Sequence, residues 1–99
     1  METIKIMGTD DTPTVILDAE NDIFEISGRS LPEDVTAFYD PILNWLDEYA
    51  GSPNAKTAFN FKLVYFNTAS SKLLLDILME LEQMHEDGKD VVVKWFYPE

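Results

Sequence analysis

Asn67-Thr68-Ala69-Ser70-Ser71-Lys72 gathers, in six consecutive residues, a carboxamide, three hydroxyls and an amine. The run lies between an aromatic β-type stretch and an amphipathic helical stretch, so it falls on a helix start. There the outward-pointing amides and the helix dipole favour an anion. Acids usually crowd such a first turn, yet residues 49–75 contain no Asp or Glu, where an even share of the chain's 19 acids would place about five. An anion-compatible site is thus left without a built-in anion, and a hydroxyl acquires one by phosphorylation. Thr68, Ser70 and Ser71 are the candidate phosphoacceptors. Asn67, Ser70, Ser71 and Lys72 form the surrounding phosphate and partner surface. The plainer reading is a helix cap, with Thr68 or Ser70 covering first-turn amides and Ser71 as filler. The two readings are compatible, because a cap hydroxyl is also an accessible acceptor. Lys72, one turn after Thr68, is placed either to pair with a phosphate or to stay solvated.

Elsewhere the chemistry is sparse. His85 is the only histidine and there is no cysteine. Four residues after Leu81, His85 reads as a packed side chain on or beside the buried stripe, and a transition-metal site lacks soft ligands. Asp18, Glu20 and Asp22 imitate the opening of a calcium loop, but Ile23 stands where its glycine belongs and Arg29 where its closing glutamate belongs, which leaves a polar hairpin turn. Acidic pairs such as Glu33/Asp34 and Glu86/Asp87 read as solvated charge. No nucleophile elbow, phosphate loop or dinucleotide fingerprint occurs. The sequence therefore gives no catalytic residue, cofactor or metal site.

The elements that position the hydroxyl run follow from periodicity. Residues 3–7, 14–18 and 23–27 are β-branched runs, the latter two joined as a hairpin. Ser30-Leu31-Pro32-Glu33 has the S-x-x-E spacing of a capping box. It opens a helix in which Val35, Phe38, Ile42, Trp45, Leu46 and Tyr49 recur every three or four residues, with Pro41 bending it and Gly51 to Asn54 stopping it. Residues 57–66 alternate, with Phe59, Phe61, Leu63 and Tyr65 on one face. A second helix carries Leu74, Ile77, Leu78, Leu81 and Met84 inward and stops at Gly88. Residues 91–97 form a last strand, with Val91, Val93, Trp95 and Tyr97 alternating against Val92, Lys94 and Phe96. Strand, helix, strand implies a right-handed parallel crossover. The expected fold is α/β, on the border with α+β, in the order β-β-β-α-β-α-β. It has a mixed sheet of about five strands with helices mainly on one face and Lys62 and Lys94 on the wetter face.

At 99 residues and 45% hydrophobic, the chain reads as a single domain, 1–99, burying roughly 65% of its unfolded surface. Seven Lys and Arg against 19 Asp and Glu leave a net charge of −12, which repels nucleic-acid phosphate and anionic lipid. Residues 1–50 hold most of that charge, 12 acids to 2 bases. No stretch reads as a membrane span or signal peptide, so insertion is not expected and the cytoplasm is the expected location. Pro98 and Glu99 follow the last strand directly, which reads as an early end.

FKLVYFNTASSKLLLDIL, followed from Glu82 by E-x-x-x-x-x-G-K-x-V-V-V-K-W-F-Y, resembles the SiaC-type regulatory phosphoproteins, and SGRSLPEDVTAFYDPILNWLDEY resembles their first helix. The likeness covers nearly the whole chain. More distantly, strand, hydroxyl turn and helix are similar to the STAS-like anti-sigma-factor antagonists. Asn67 and Thr68 stand where that wider group has Asp-Ser, and no glycine follows at Ala69 to Ser71, so the wider match is one of layout. The resemblance implies Thr68 as phosphoacceptor, which leaves Ser70 and Ser71 as fallbacks, and with it a serine/threonine kinase with a histidine-kinase-like ATPase domain and a metal-dependent phosphatase. It further implies a diguanylate cyclase bound and activated by the unphosphorylated form, in cyclic-di-GMP control of biofilm and aggregation. It also implies an acidic segment after the last strand, which this sequence does not carry. Two other functions compete: an enzyme or small-ligand carrier using the cleft at the carboxyl ends of the parallel strands, and a purely structural subunit. A carrier needs an enclosed pocket beside Asn67 to Lys72, whereas a switch needs an exposed Thr68.

Overall fold

The computed structural model describes residues 2–96. Its elements are β1 (Ile4–Ile6), β2 (Thr14–Asp18), β3 (Ile23–Ser30), α1 (Val35–Ala50), β4 (Thr57–Phe66), α2 (Thr68–Glu86) and β5 (Val91–Trp95). The expected order holds. The five strands lie in sequence order across one sheet, β1 to β3 antiparallel and β3 to β5 parallel. Tyr97, expected in the last strand, lies outside the described residues.

Local chemistry explains each boundary. In the β2–β3 turn the Asp18 carboxylate accepts from the Asn21 amide at 3.1 Å and from its carboxamide at 2.8 Å, which holds the Asp18 carboxyl below its ordinary range. Asp22 takes the left-handed conformation, φ 56°, that closes the hairpin. The end of α2 is a Schellman turn. Gly88, at φ +89°, donates to the His85 carbonyl at 3.0 Å and Lys89 to the Met84 carbonyl at 3.0 Å. α1 runs through Pro41 without interruption, although proline cannot donate to the Ala37 carbonyl.

Three expectations are corrected. Ser30 does not cap α1. Asp34 does, accepting from the Ala37 amide at 3.1 Å, because β3 continues to Ser30 and draws that residue into the interior. The continuation requires a bulge. Gly28 pairs with Leu63 but Arg29 pairs with Tyr65, so Val64 is the extra residue on β4, and Gly28 supplies φ +96° opposite it. The bulge reverses the alternation, so Tyr65 does not follow Phe59, Phe61 and Leu63 into the core. It is half exposed beneath the Arg29 guanidinium, 5.4 Å from its ring centroid. His85, finally, is exposed. Leu81 and Met84 carry the buried stripe there, and His85 sits in the last turn, facing solvent.

Both helices cover one sheet face. Tyr39, Ile42, Trp45, Leu46 and Tyr49 of α1 and Leu74, Ile77, Leu81 and Met84 of α2 close over Val15, Leu17, Phe24, Ile26, Phe59, Phe61 and Leu63, all buried in one cluster. Where the helices meet, Glu80 of α2 lies beside Asp47 of α1. Partial burial, then repulsion from Asp47 and a hydrogen bond to it, push the Glu80 carboxyl above its ordinary value. An acid with a raised folded value binds its proton more tightly when folded, so this pair's contribution to stability grows as pH falls through that value. Glu80→Gln is therefore expected to stabilise the protein at neutral pH by a few tenths of a kcal/mol, the scale of a partly exposed charge pair. It should also flatten the gain that wild type shows on mild acidification. Thermal melts at neutral and mildly acidic pH check both.

Candidate functional site

β4 ends at Phe66 and the chain enters α2 at once. Asn67 is the cap: its backbone is extended, φ −84° and ψ 173°, and its side-chain oxygen accepts from the Ser70 amide at 2.8 Å. Neither Thr68 nor Ser70 therefore serves as the cap that residue types alone allowed. Thr68 is the first helical residue and is exposed. Its amide and that of Ala69 precede the helix's own hydrogen-bond ladder, so the polarised helix end faces outward beside an accessible hydroxyl.

The other members of the run separate. Ser70 is fully buried, which removes it from the accessible surface and from the fallback phosphoacceptors. Its hydroxyl donates to the Ser30 carbonyl at 2.9 Å. The Ser30 hydroxyl donates to Ser70 Oγ at 2.9 Å and lies 2.6 Å from the Tyr39 hydroxyl. Using each proton once, Tyr39 donates to Ser30, Ser30 to Ser70, and Ser70 back to the Ser30 carbonyl. That carbonyl also receives the Asn67 amide at 3.2 Å. Burial pushes the Tyr39 hydroxyl above its ordinary value and so keeps it a donor. This network, spanning β3, α1 and α2, pins the turn that carries Thr68 from beneath. Ser71 is half-buried and donates to the Thr68 carbonyl at 2.6 Å. Lys72 is exposed, one turn on from Thr68.

Thr68, Ser71 and Lys72 line an open groove of about 650 Å³ between α2 and α1. Here space departs from sequence. The acid-free window is acid-free only along the chain, for Asp40 of α1 and Asp76 of α2 line the same groove, and Lys72 is its one cation among the described residues. Periodicity also understated the outer face of α2. Leu75 is 54% exposed and Met79 58%, and with Thr68 and Lys72 they follow spacings of four, three and four residues, so all four share one strip of the helix. Those spacings were visible in the sequence. Their place outside the inward stripe was visible too, but not how much of each side chain stands in solvent.

The mixed sheet thus carries both helices on one face, and an exposed threonine opens the helix that follows a parallel strand. The profile of the SiaC family of regulatory phosphoproteins matches residues 6–99, and the chain belongs to that family. An uncharacterised protein of Pseudomonas aeruginosa strain UCBPP-PA14 is 29% identical over 97 residues, spanning 98% of this chain and 77% of the relative. Apo-SiaC from Pseudomonas aeruginosa is similar at TM-score 0.92 and 28% identity, covering 99% of this chain and 81% of that one. A crystal structure of the diguanylate cyclase SiaD in complex with its activator SiaC, from the same organism, is similar at TM-score 0.87 and 28% identity, covering 93% of this chain and 75% of that one. Among the described residues no helix is long and apolar enough to cross a membrane.

Proposed function

We propose that this protein is a non-enzymatic partner switch in cyclic-di-GMP signalling, acting in the cytoplasm. Its unphosphorylated form binds and activates a diguanylate cyclase through the outer face of α2, and phosphorylation of Thr68 releases that partner. A serine/threonine kinase with a histidine-kinase-like ATPase domain adds the phosphate and a metal-dependent phosphatase removes it. The reading is carried by one observation: an exposed threonine hydroxyl at the polarised start of a helix heads a strip whose other members, Lys72, Leu75 and Met79, are also exposed. Two large apolar side chains held in solvent beside a modifiable residue suit a protein surface better than a small ligand. The adjoining groove is open, as docking requires, rather than enclosed, as a carrier requires.

The test is phosphorylation by the kinase followed by fragment mass spectrometry and cyclase pull-down. One phosphate is expected on Thr68 and none on Ser71, with loss of the cyclase. Lys72→Ala should slow the reaction, since no other cation among the described residues lines the groove. A phosphate mapped to another residue, or equal retention of the cyclase by both forms, would overturn the assignment.

A further inference from the structure

The sheet face turned away from the helices carries a second surface. The reversal at Val64 puts Tyr65 there, with Arg29 over its ring at 5.4 Å, and the register places Lys62 over the Phe96 ring at 5.1 Å. Lys94, opposite Asn60, lies on the same face, because its neighbour Trp95 stacks on Phe61 on the helix side at 4.9 Å. Val64, Tyr65 and Phe96 are 56%, 49% and 46% exposed. Three of the chain's seven Lys and Arg thus gather around three exposed apolar side chains, on a molecule of net charge −12. Glu25 answers one of them, 3.0 Å from Lys62; Arg29 and Lys94 form no ion pair among the described residues. Arg29 is also held in place, its Nε donating to the Asp10 carbonyl at 3.2 Å.

We propose that this face of β3, β4 and β5 docks an acidic segment of a partner protein. Carboxylates would meet Arg29 and Lys94, and one or two apolar side chains would settle on Val64 and between Tyr65 and Phe96. Charge complementarity names the occupant. A local cluster of cations is felt within a Debye length of about 8 Å, whereas the repulsion of the remaining acids accumulates along a long polyanion. A short acidic peptide therefore gains the attraction at least cost, and a nucleic acid suffers the repulsion in full. The Arg29 guanidinium, already resting on the Tyr65 ring, is partly desolvated and preorganised for a carboxylate. The surface lies across the sheet from α2, so docking here is independent of Thr68.

The experiment selects peptides from a random display library on the 99-residue chain and measures the synthetic consensus by fluorescence anisotropy. The expected consensus combines several Asp or Glu with aromatic or aliphatic residues. Its affinity should fall about tenfold, 1.4 kcal/mol, with Lys94→Glu and likewise with Tyr65→Ser, and should be unchanged by Thr68→Glu. Circular dichroism melts confirm that each variant is folded. A consensus without acidic bias, or binding that survives both substitutions, overturns the proposal. So does tighter binding of a labelled oligothymidylate than of the peptide, which would give the face to nucleic acid. Loss of peptide binding with Thr68→Glu would also overturn it, placing the peptide on α2.

Discussion

Thr68→Glu is expected to weaken binding of the diguanylate cyclase about a hundredfold, roughly 2.8 kcal/mol, while the protein stays as stable as wild type. Long-range repulsion cannot supply that loss. A phosphate adds −1.5 to −2 to a chain already at −12, and a unit charge 10 Å from such a dianion feels only about 0.8 kcal/mol in water, less after screening. Burial of an unpaired charge in a contact surface costs several kcal/mol, so the switch works only if Thr68 is covered by the partner. The strip through Lys72, Leu75 and Met79 gives the partner reason to cover it. Asp40 and Asp76 in the adjoining groove add to the penalty, since they oppose a second negative group drawn toward α1. Stability should hold for a separate reason. Asn67, not Thr68, caps α2, and a carboxylate in the first turn is favoured by the helix dipole by about 0.3–1 kcal/mol. Thr68→Ala should bind the cyclase like wild type and no longer respond to the kinase. Titration calorimetry with parallel melts decides it: full affinity in a folded Thr68→Glu protein would place residue 68 outside the contact.

The strands and helices were legible wherever a pattern repeats. Phe59, Phe61 and Leu63 mark β4, and Leu74, Ile77, Leu81 and Met84 mark α2, because alternation and helical spacing are properties of a segment by itself. The position of Thr68 was legible for the same reason, as the junction of two periods. What the pattern missed depends on distant partners. Ser30 looks like a cap because Glu33 follows at the right interval, but its hydroxyl is satisfied by Tyr39 and, forty residues away, by Ser70. Tyr65 continues an alternation that the bulge interrupts, and the bulge exists because β3 and β4 must stay paired up to Ser30 and Phe66. Asp40 enters the groove only because α1 packs beside α2. In each case the deciding energy lies between elements, out of reach of a local window.

That interior network is where a substitution should cost most stability for the least change in volume. Ser30→Ala removes the acceptor of a Tyr39 hydroxyl that is 0% exposed, and one donor to Ser70, leaving a buried polar group unsatisfied. The expected loss is about 2–3 kcal/mol. Tyr39→Phe should cost only about 1 kcal/mol, since Ser30 still donates to Ser70 and no donor is stranded. The double variant is therefore expected to be more stable than Ser30→Ala alone, because removing the orphaned hydroxyl restores what its desolvation cost. Urea denaturation of the four proteins measures the coupling. Amide exchange adds the link to function: the Ser30 hydroxyl donates to Ser70 in the first turn of α2, so opening of the α2 start should quicken in Ser30→Ala more than opening of β2 does, even though the Ser30 carbonyl keeps its bonds from Ser70 and the Asn67 amide. In the proposed switch, a Thr68 held on a fixed turn presents one geometry to kinase and cyclase alike, and loosening that turn should weaken both encounters without touching either contact surface. Additive costs across the cycle, or a Ser30→Ala protein no less stable than Tyr39→Phe, would show that these hydroxyls do not act as one unit.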